Sequence, residues 1–119
     1  MEPLIINAAL TGMVPQRSDS PHVPLSPAEI VRDAKNCYEA GATILHLHAR
    51  EPDGKPSYRR ELYQEIIAGV REACPGVIVS GSCSGRVHPE FSQRSQVLHA
   101  KPDLGSLTLG SLNFPKQAS

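Results

Sequence analysis

The sequence predicts an α/β fold in which parallel βα units form the N-terminal half of a (βα)8 TIM barrel. Four short apolar runs alternate with helical patterns, which is typical of a parallel sheet covered by helices. Polar residues stand at the end of every run, and barrels gather their active-site groups at the carboxyl ends of several strands. The chain has 119 residues. A complete barrel needs roughly 250, so half a barrel is expected.

The predicted strands are short and rich in Ile, Leu and Val. Three of them read as near-continuous apolar runs, as strands buried on both faces do. An open doubly wound sheet is the competing arrangement, but it would concentrate functional groups at one switch point. We expect the edges of the first and last strands to need a partner, either the rest of a barrel or a second copy. The prediction is one domain over 1–119, with strands near 3–10, 42–49, 76–82 and 104–110.

Helical patterns fill the segments between the strands. The first opens with "SPAE", which is a capping box with proline at the first helical position, and Gly41 is its natural stop. The second runs over 59–73, where apolar residues recur at helical spacing and Pro-Gly follows. A weaker third helix is predicted within "HPEFSQRSQVLHA". The segment "EPDGKPS" (51–57) is predicted to be a turn.

Composition excludes several classes of protein. The 12 basic and 12 acidic residues balance, and no block of like charge stands out, so neither nucleic acid nor an acidic membrane surface is expected as a partner. No apolar segment is long enough to cross a membrane. The N-terminus lacks the basic region of a secretory signal. Three scattered cysteines without CxxC spacing fit a reducing cytoplasm, and no base near Cys83 in sequence marks it as a nucleophile.

Two histidines end the most apolar run, "ATILHLHAR". Alternate residues of a strand point to the same face, so His46 and His48 can reach one point. Two imidazoles at this spacing suit Zn²⁺, which in catalytic sites takes three protein ligands and leaves one position open. The sequence therefore predicts a metal site with two of its ligands here. Two buried, hydrogen-bonded histidines remain the alternative.

Other polar residues at strand ends are candidate substrate contacts. Thr11 follows the first run, and Ser82 lies in "SGSCSGR", a small-residue loop that either binds a carboxylate or phosphate or is a flexible turn. Ser106 and Thr108 share one face of the last strand, where a hydroxyl needs a hydrogen-bonding partner. Arg50 either holds a substrate carboxylate or merely pairs with Glu51, and the structural role is favoured.

The strings "NAALTG", "HLHAREPDGKPSYR" and "PDLGSLTLGSLNFPKQAS", in this order, resemble the β-keto acid cleavage enzymes. That family includes the 3-keto-5-aminohexanoate cleavage enzyme of lysine fermentation. The resemblance implies a cytoplasmic, zinc-dependent (βα)8 barrel that is usually a homo-oligomer. It also implies a carbon–carbon cleaving acyl transfer in which a β-keto acid and acetyl-CoA give acetoacetate and a new acyl-CoA.

The resemblance also assigns roles to residues. It implies zinc binding by His46 and His48, with a third, glutamate ligand and the catalytic arginine and aspartate beyond residue 119. It implies substrate contacts by Ser82 and Ser106. Val14 stands where relatives that act on an amino-substituted acid carry an acidic residue, so a neutral or apolar substrate is expected.

Two alternatives stay open at this stage. One is a metal-dependent hydrolase of the amidohydrolase type, which also uses an HxH motif, although typically at the end of the first strand. The other is a non-catalytic, truncated chain. With two metal ligands and two open sheet edges, the isolated 119 residues are expected to be inactive.

Overall fold

A parallel sheet with helices on one face is the centre of the structure, a computed structural model that describes residues 2–85 and 88–107. A long loop follows the first strand and leads into the first helix, after which comes the second strand. A short hairpin lies between the second strand and the second helix. In chain order the elements are β1 (Asn7–Ala9), α1 (Pro27–Glu39), β2 (Ile44–Leu47), β3 (Ala49–Arg50), β4 (Pro56–Ser57), α2 (Arg60–Ala73), β5 (Ile78–Gly81), α3 (Phe91–Arg94), a 3₁₀ helix (Gln96–Ala100) and β6 (Leu104–Gly105).

The four strands of the sheet are all parallel and lie in the order β1-β2-β5-β6. Strands that are adjacent in this sheet follow one another through helical crossovers, as successive βα units of a barrel do. Each strand lies inside its predicted segment but is shorter than that segment. The last three positions of the fourth segment, including Thr108, lie outside the described residues.

The two faces of this sheet differ in what covers them. Leu45, Leu47 and Val79 point into the core and are fully buried beneath the helices. On the opposite face Ile78 and Leu104 remain exposed. The same face carries the polar residues at the carboxyl ends of the strands. In a closed barrel this second face would be the interior.

The segment predicted as a turn forms a small antiparallel hairpin. Ala49 pairs with Ser57 and Arg50 with Pro56, and the amide of Glu51 donates to the Lys55 carbonyl over 2.8 Å. A ladder of two residues per strand is too short to show an alternating pattern, and proline in it lacks a donor. The prediction of a turn was therefore incomplete, because the chain returns on itself in register.

The helices bury the faces that their apolar spacing predicts. Ile30 and Ala34 of α1 are buried, and the buried residues of α2 are Tyr63, Ile66, Ile67 and Val70. The predicted third helix is divided into one turn of α-helix and a 3₁₀ helix. Gly81 of β5 allows this 3₁₀ helix to approach, because a Cβ at position 81 would lie 2.4 Å from Val97 Cγ2. Of the helices in the described ranges, none has both the length and the apolar character needed to cross a bilayer.

The first turn of α1 supports a prediction about acid stability. The Ser26 hydroxyl accepts from the Glu29 amide, and the Glu29 carboxylate accepts from the amides of Ser26 and Leu25. The Ser26 amide, with the Arg17 guanidinium and the Leu25 amide, lowers the pKa of Glu29 from 4.5 to about 2. A carboxylate with a lowered pKa in the folded state stabilises that state at higher pH. This contribution is complete above the unfolded-state pKa of 4.5 and is lost as pH falls toward 2.

We therefore expect the free energy of unfolding to fall less between pH 5 and pH 2 in Glu29→Gln than in the unchanged protein. The measurement is the free energy of unfolding by urea at a series of pH values, for the protein and the variant. Glu65→Gln, at an exposed position in the middle of α2, is the matched control and should leave the pH profile unchanged. Equal acid dependence in Glu29→Gln and the unchanged protein would contradict this account of the capping box.

Candidate metal and substrate site

The two predicted histidines lie together at the carboxyl end of β2. His46 is the third residue of the strand and His48 follows its last residue. Their ring centroids are 4.8 Å apart and the planes meet at 83°. Rings at this distance and angle can direct nitrogens toward a common point, as the alternation of the strand predicts. The structure thus brings together the pair that the sequence singled out.

His46 is oriented by the neighbouring strand. The parallel register sets Ser80 of β5 directly opposite His46, and the Ser80 hydroxyl lies 2.9 Å from His46 Nδ1. When Nδ1 carries the proton and donates to this hydroxyl, Nε2 is left as the basic nitrogen. Metal-binding histidines characteristically have their second nitrogen held in this way. Ser80 is a functional candidate that sequence reasoning did not assign, although strand register would have indicated it.

His48 is more deeply buried than His46. Its residue is 8% exposed, and its Nδ1 is buried without a hydrogen-bond partner among the described residues. Burial, with smaller contributions from His46 and Arg50, lowers the pKa of His48 to about 4. Burial also lowers the pKa of His46. Both imidazoles are therefore neutral near pH 7, which is the form that binds metal.

These observations fit a zinc ion. The pair offers neutral nitrogen donors, one ring has a hydrogen-bonded orienting partner, and the other has a buried polar atom that lacks a partner. Imidazole is among the preferred ligands of Zn²⁺. Within residues 2–85 and 88–107, no group of three or more His, Cys, Asp or Glu side chains is placed to hold a metal ion. The described part of the chain thus offers two imidazole nitrogens, one fewer than the three protein ligands that a catalytic zinc site takes.

Two serine hydroxyls lie on the neighbouring strand ends. Ser82, which is buried, follows β5 and accepts from the Ser84 amide at 3.3 Å. Ser106 follows β6 and accepts from the Cys83 amide at 2.8 Å. A hydroxyl that accepts one hydrogen bond keeps its own proton to donate. Both residues therefore hold the strand-end loop in place and retain an O–H for an incoming oxygen.

The long loop between β1 and α1 begins next to His46, because the Leu10 amide donates to the His46 carbonyl at 3.4 Å. Thr11 is buried and donates its hydroxyl proton to the Pro24 carbonyl at 2.9 Å, so its side chain ties together the two ends of this loop. Val14 is 53% exposed. Of these two predicted contacts, the side chain of Val14 is available to a ligand, whereas the hydroxyl proton of Thr11 is used within the loop.

Arg50 does not pair with Glu51, the structural partner that the sequence suggested. Its guanidinium donates to three backbone carbonyls, and no ion pair of Arg50 is present in the described residues. The Glu51 carboxylate instead accepts from Arg59 at 3.3 Å and from the Ser57 hydroxyl. The suggested pairing with Glu51 is wrong because the hairpin directs the two side chains to different neighbours. Its three carbonyl contacts give Arg50 a structural role with other partners, and the contact with a substrate carboxylate stays a prediction.

The described residues around Cys83 do not activate its thiol. Its side chain is half-buried, and burial raises the pKa of the thiol. A protonated thiol is a poor nucleophile. The chemistry of this site therefore depends on imidazoles and hydroxyls.

The family model for β-keto acid cleavage enzymes matches residues 3–119. This chain belongs to the β-keto acid cleavage enzyme family. It is 41% identical over 114 residues to the 3-keto-5-aminohexanoate cleavage enzyme of Acetoanaerobium sticklandii, covering 96% of this chain and 42% of that protein. It is 39% identical over 114 residues to the 3-oxoadipate:acetyl-CoA acetyltransferase of Cupriavidus necator, covering 96% of this chain and 40% of that protein. The chain thus spans less than half the length of these family members.

A solved structure of the same fold is the ternary complex of ObcA with a C4-CoA adduct and oxalate. The TM-score is 0.61 at 22% sequence identity, over 74% of this chain and 24% of ObcA. Together with the parallel order β1-β2-β5-β6, this likeness confirms the fold class that the sequence predicts, parallel βα units of the N-terminal half of a (βα)8 barrel.

Proposed function

We propose that this chain supplies the N-terminal half-barrel of a zinc-dependent enzyme that cleaves a β-keto acid with acetyl-CoA. The observation that carries the proposal is the paired, neutral and partly oriented His46 and His48 at the carboxyl end of β2. Membership of the family supports the reaction class, because two members are named as a cleavage enzyme and an acetyl-CoA acetyltransferase.

The proposed reaction exchanges acyl groups between carbon and sulfur. The bond between the α and β carbons of the keto acid breaks, and its acyl part moves to the CoA sulfur. The released two-carbon carboxylate unit forms a new carbon–carbon bond with the acetyl carbonyl of acetyl-CoA. The thioester carbon–sulfur bond there breaks, which gives acetoacetate and frees the CoA sulfur that takes the acyl part. Atoms and electrons balance without an oxidant or a reductant.

His46 and His48 would hold the zinc, and a third ligand would come from outside the described residues. When bound, zinc supplies Lewis-acid polarisation of substrate oxygens. Ser82 and Ser106 would donate their hydroxyl protons to the oxygens of a bound acid, and the proposal is supported by the backbone amide that each hydroxyl oxygen accepts from. Donors that are fixed before the substrate arrives need little reorganisation in the transition state. The base of the reaction is proposed to lie outside this chain's described residues.

The substrate class follows from the side chain at position 14. Val14 is a partly exposed apolar group in the loop next to the histidines. An apolar group does not compensate a cationic substituent that loses its water. We therefore propose a keto acid whose far end is neutral or apolar. A homo-oligomer in the cytoplasm also remains part of the proposal.

The experiment uses the protein expressed from its native open reading frame. It is incubated with 3-oxohexanoate, 3-oxoadipate or 3-keto-5-aminohexanoate, with and without acetyl-CoA, and the products are identified by mass spectrometry. We expect acetoacetate and the matching acyl-CoA to form together, only when acetyl-CoA is present, and most rapidly from 3-oxohexanoate. Hydrolysis without CoA would instead favour a metallohydrolase and would contradict the proposal.

Ser80 gives a second test of the metal site. Ser80→Ala removes the hydroxyl that orients His46 and leaves the ring free to rotate. Loss of such a partner typically weakens metal binding by about 10- to 100-fold, and we expect an effect of that size on zinc affinity. Competition with a chromogenic chelator measures it. Ser92→Ala, at an exposed position in α3, is the control, and equal zinc affinity in Ser80→Ala and Ser92→Ala would rule out the orienting role.

A further inference from the structure

We infer that Arg50 is a positioning residue that holds the loop bearing Val14 against the β3–β4 hairpin, which directly follows the histidine strand in the chain. The inference rests on the proposed function for its consequence in catalysis, and on hydrogen-bond geometry for the contact itself. It begins with the burial of a charged side chain that has no ion-pair partner in the described part of the chain.

Arg50 is 2% exposed. A buried guanidinium needs hydrogen-bond acceptors to offset the loss of water. Here these acceptors are backbone carbonyls, and each of the three guanidinium nitrogens donates to a different one. Nε donates to Gly12 O at 3.0 Å, Nη2 to Pro15 O at 2.8 Å and Nη1 to Gly54 O at 2.7 Å. The planar, rigid fork of arginine suits three fixed acceptors.

Two of these carbonyls flank Val14. Gly12 stands two residues before it and Pro15 immediately after it, so the backbone around position 14 is held on both sides by one side chain. Gly12 has a φ of +75°, a conformation that other residues rarely adopt. The loop is therefore fixed by a specific backbone conformation and by two charge-assisted hydrogen bonds.

The other end of the contact is the hairpin that follows the histidine strand. Arg50 lies in β3 and follows His48 by two residues, so the hairpin is joined directly to the end of β2 in the chain. The third acceptor, Gly54, lies in the tip of the β3–β4 hairpin and also accepts from Gln16 Nε2 at 3.4 Å. The hairpin and the loop thus form one hydrogen-bonded unit, which is joined to the histidine strand through the chain.

The same hairpin reaches the opposite side of the site. Tyr58, which follows β4, donates its hydroxyl proton to the Ser84 carbonyl at 2.9 Å. Ser84 belongs to the loop that also carries Ser82. The hairpin therefore contacts both the loop proposed to select the far end of the substrate and the loop that presents a serine hydroxyl. Arg50 controls the first of these contacts.

The consequence is a specific role in substrate selection. If the guanidinium fixes position 14, replacing it with a side chain that makes fewer of these hydrogen bonds should make the loop around Val14 more mobile. This loop is proposed to contact the far end of the keto acid. The affinity for acetyl-CoA and the affinity for the metal should change less. A displacement of about 1 Å in a positioning element can cost up to about 100-fold in rate, so the expected effect is measurable.

The test compares Arg50→Lys and Arg50→Met with Arg32→Met, an exposed arginine of α1, in the protein expressed from its native open reading frame. Hydrogen exchange followed by mass spectrometry is the first readout. We expect both Arg50 variants to speed exchange in residues 11–17 by about tenfold or more, as for a locally opened segment. The peptide over 60–73 should stay as in Arg32→Met. Unchanged exchange in 11–17 would overturn the inference.

Kinetics give the second readout, with 3-oxopentanoate, 3-oxohexanoate and 3-oxoadipate as probes at saturating acetyl-CoA. We expect Arg50→Lys to raise KM for the keto acids by about tenfold and to change kcat less. The kcat/KM values of the three acids should also differ less from one another than they do in the unchanged protein. Faster exchange with unchanged discrimination would refute the positioning role and leave a purely structural contact. If the unchanged protein cleaves none of these acids, the proposed function fails, and hydrogen exchange alone decides the inference. Arg50→Lys keeps the positive charge. If Arg50→Met does not fold, hydrogen exchange and kinetics of Arg50→Lys test the inference.

Discussion

Replacement of both His46 and His48 by alanine is expected to remove the bound zinc and to lower the rate of keto acid cleavage by at least about a thousandfold. The two rings lie 4.8 Å apart at the end of one strand and are the two metal ligands that we propose within residues 2–85 and 88–107. A third ligand alone would hold zinc weakly, because a catalytic zinc site depends on three protein ligands. Zinc content by inductively coupled plasma mass spectrometry and acetyl-CoA-dependent product formation measure the two effects.

The matched control for this variant is His22→Ala/His99→Ala. Both of these histidines are exposed and lie away from β2 in the chain, so removing them changes the same number of imidazoles. The control should keep the zinc content and the rate of the unchanged protein. Full metal retention in His46→Ala/His48→Ala, with the protein still folded, would contradict the ligand assignment.

Replacement of Val14 by glutamate is expected to reverse the substrate preference. A carboxylate at this position would attract the ammonium group of 3-keto-5-aminohexanoate and would no longer offer an apolar contact to 3-oxohexanoate. Both effects act in the same direction on the ratio of the two kcat/KM values. We expect this ratio to change by about 100-fold, or about 2.7 kcal/mol. Steady-state kinetics with each acid at saturating acetyl-CoA measures the ratio.

The control for this prediction is Val14→Gln, which matches glutamate in size and lacks its charge. It should weaken the activity toward 3-oxohexanoate without gaining activity toward the amino acid substrate. Equal behaviour of the glutamate and glutamine variants would show that charge at position 14 does not select the substrate. The exposure of Val14, at 53%, makes a large loss of stability in either variant unexpected.

The parts of the fold that the sequence predicts are those that local signals specify. The first helix has its start in "SPAE", and the structure contains both halves of that capping box. The parallel strands are indicated by β-branched runs between helical patterns. The histidine pair was predictable for the same reason, because the period of a strand places alternate residues on one face.

The features that the sequence did not reveal depend on residues far apart in the chain. Ser80 meets His46 only because the register of β2 and β5 sets them opposite each other. Arg50 finds two of its three acceptors 35 and 38 residues away, and a carbonyl acceptor has no side chain that could signal the contact. The hairpin of β3 and β4 has two residues in each strand and therefore lacks a periodic pattern. Local reasoning cannot recover contacts of this kind.

The most direct measurement of the central claim is anomalous diffraction at the zinc absorption edge from crystals of the protein expressed from its native open reading frame. The account predicts one anomalous peak at about 2.0–2.1 Å from a ring nitrogen of His46 and from a ring nitrogen of His48. It also predicts that the Ser80 hydroxyl remains hydrogen-bonded to the second nitrogen of His46. A zinc peak away from both rings, or zinc bound to the Cys83 thiolate in their place, would contradict it.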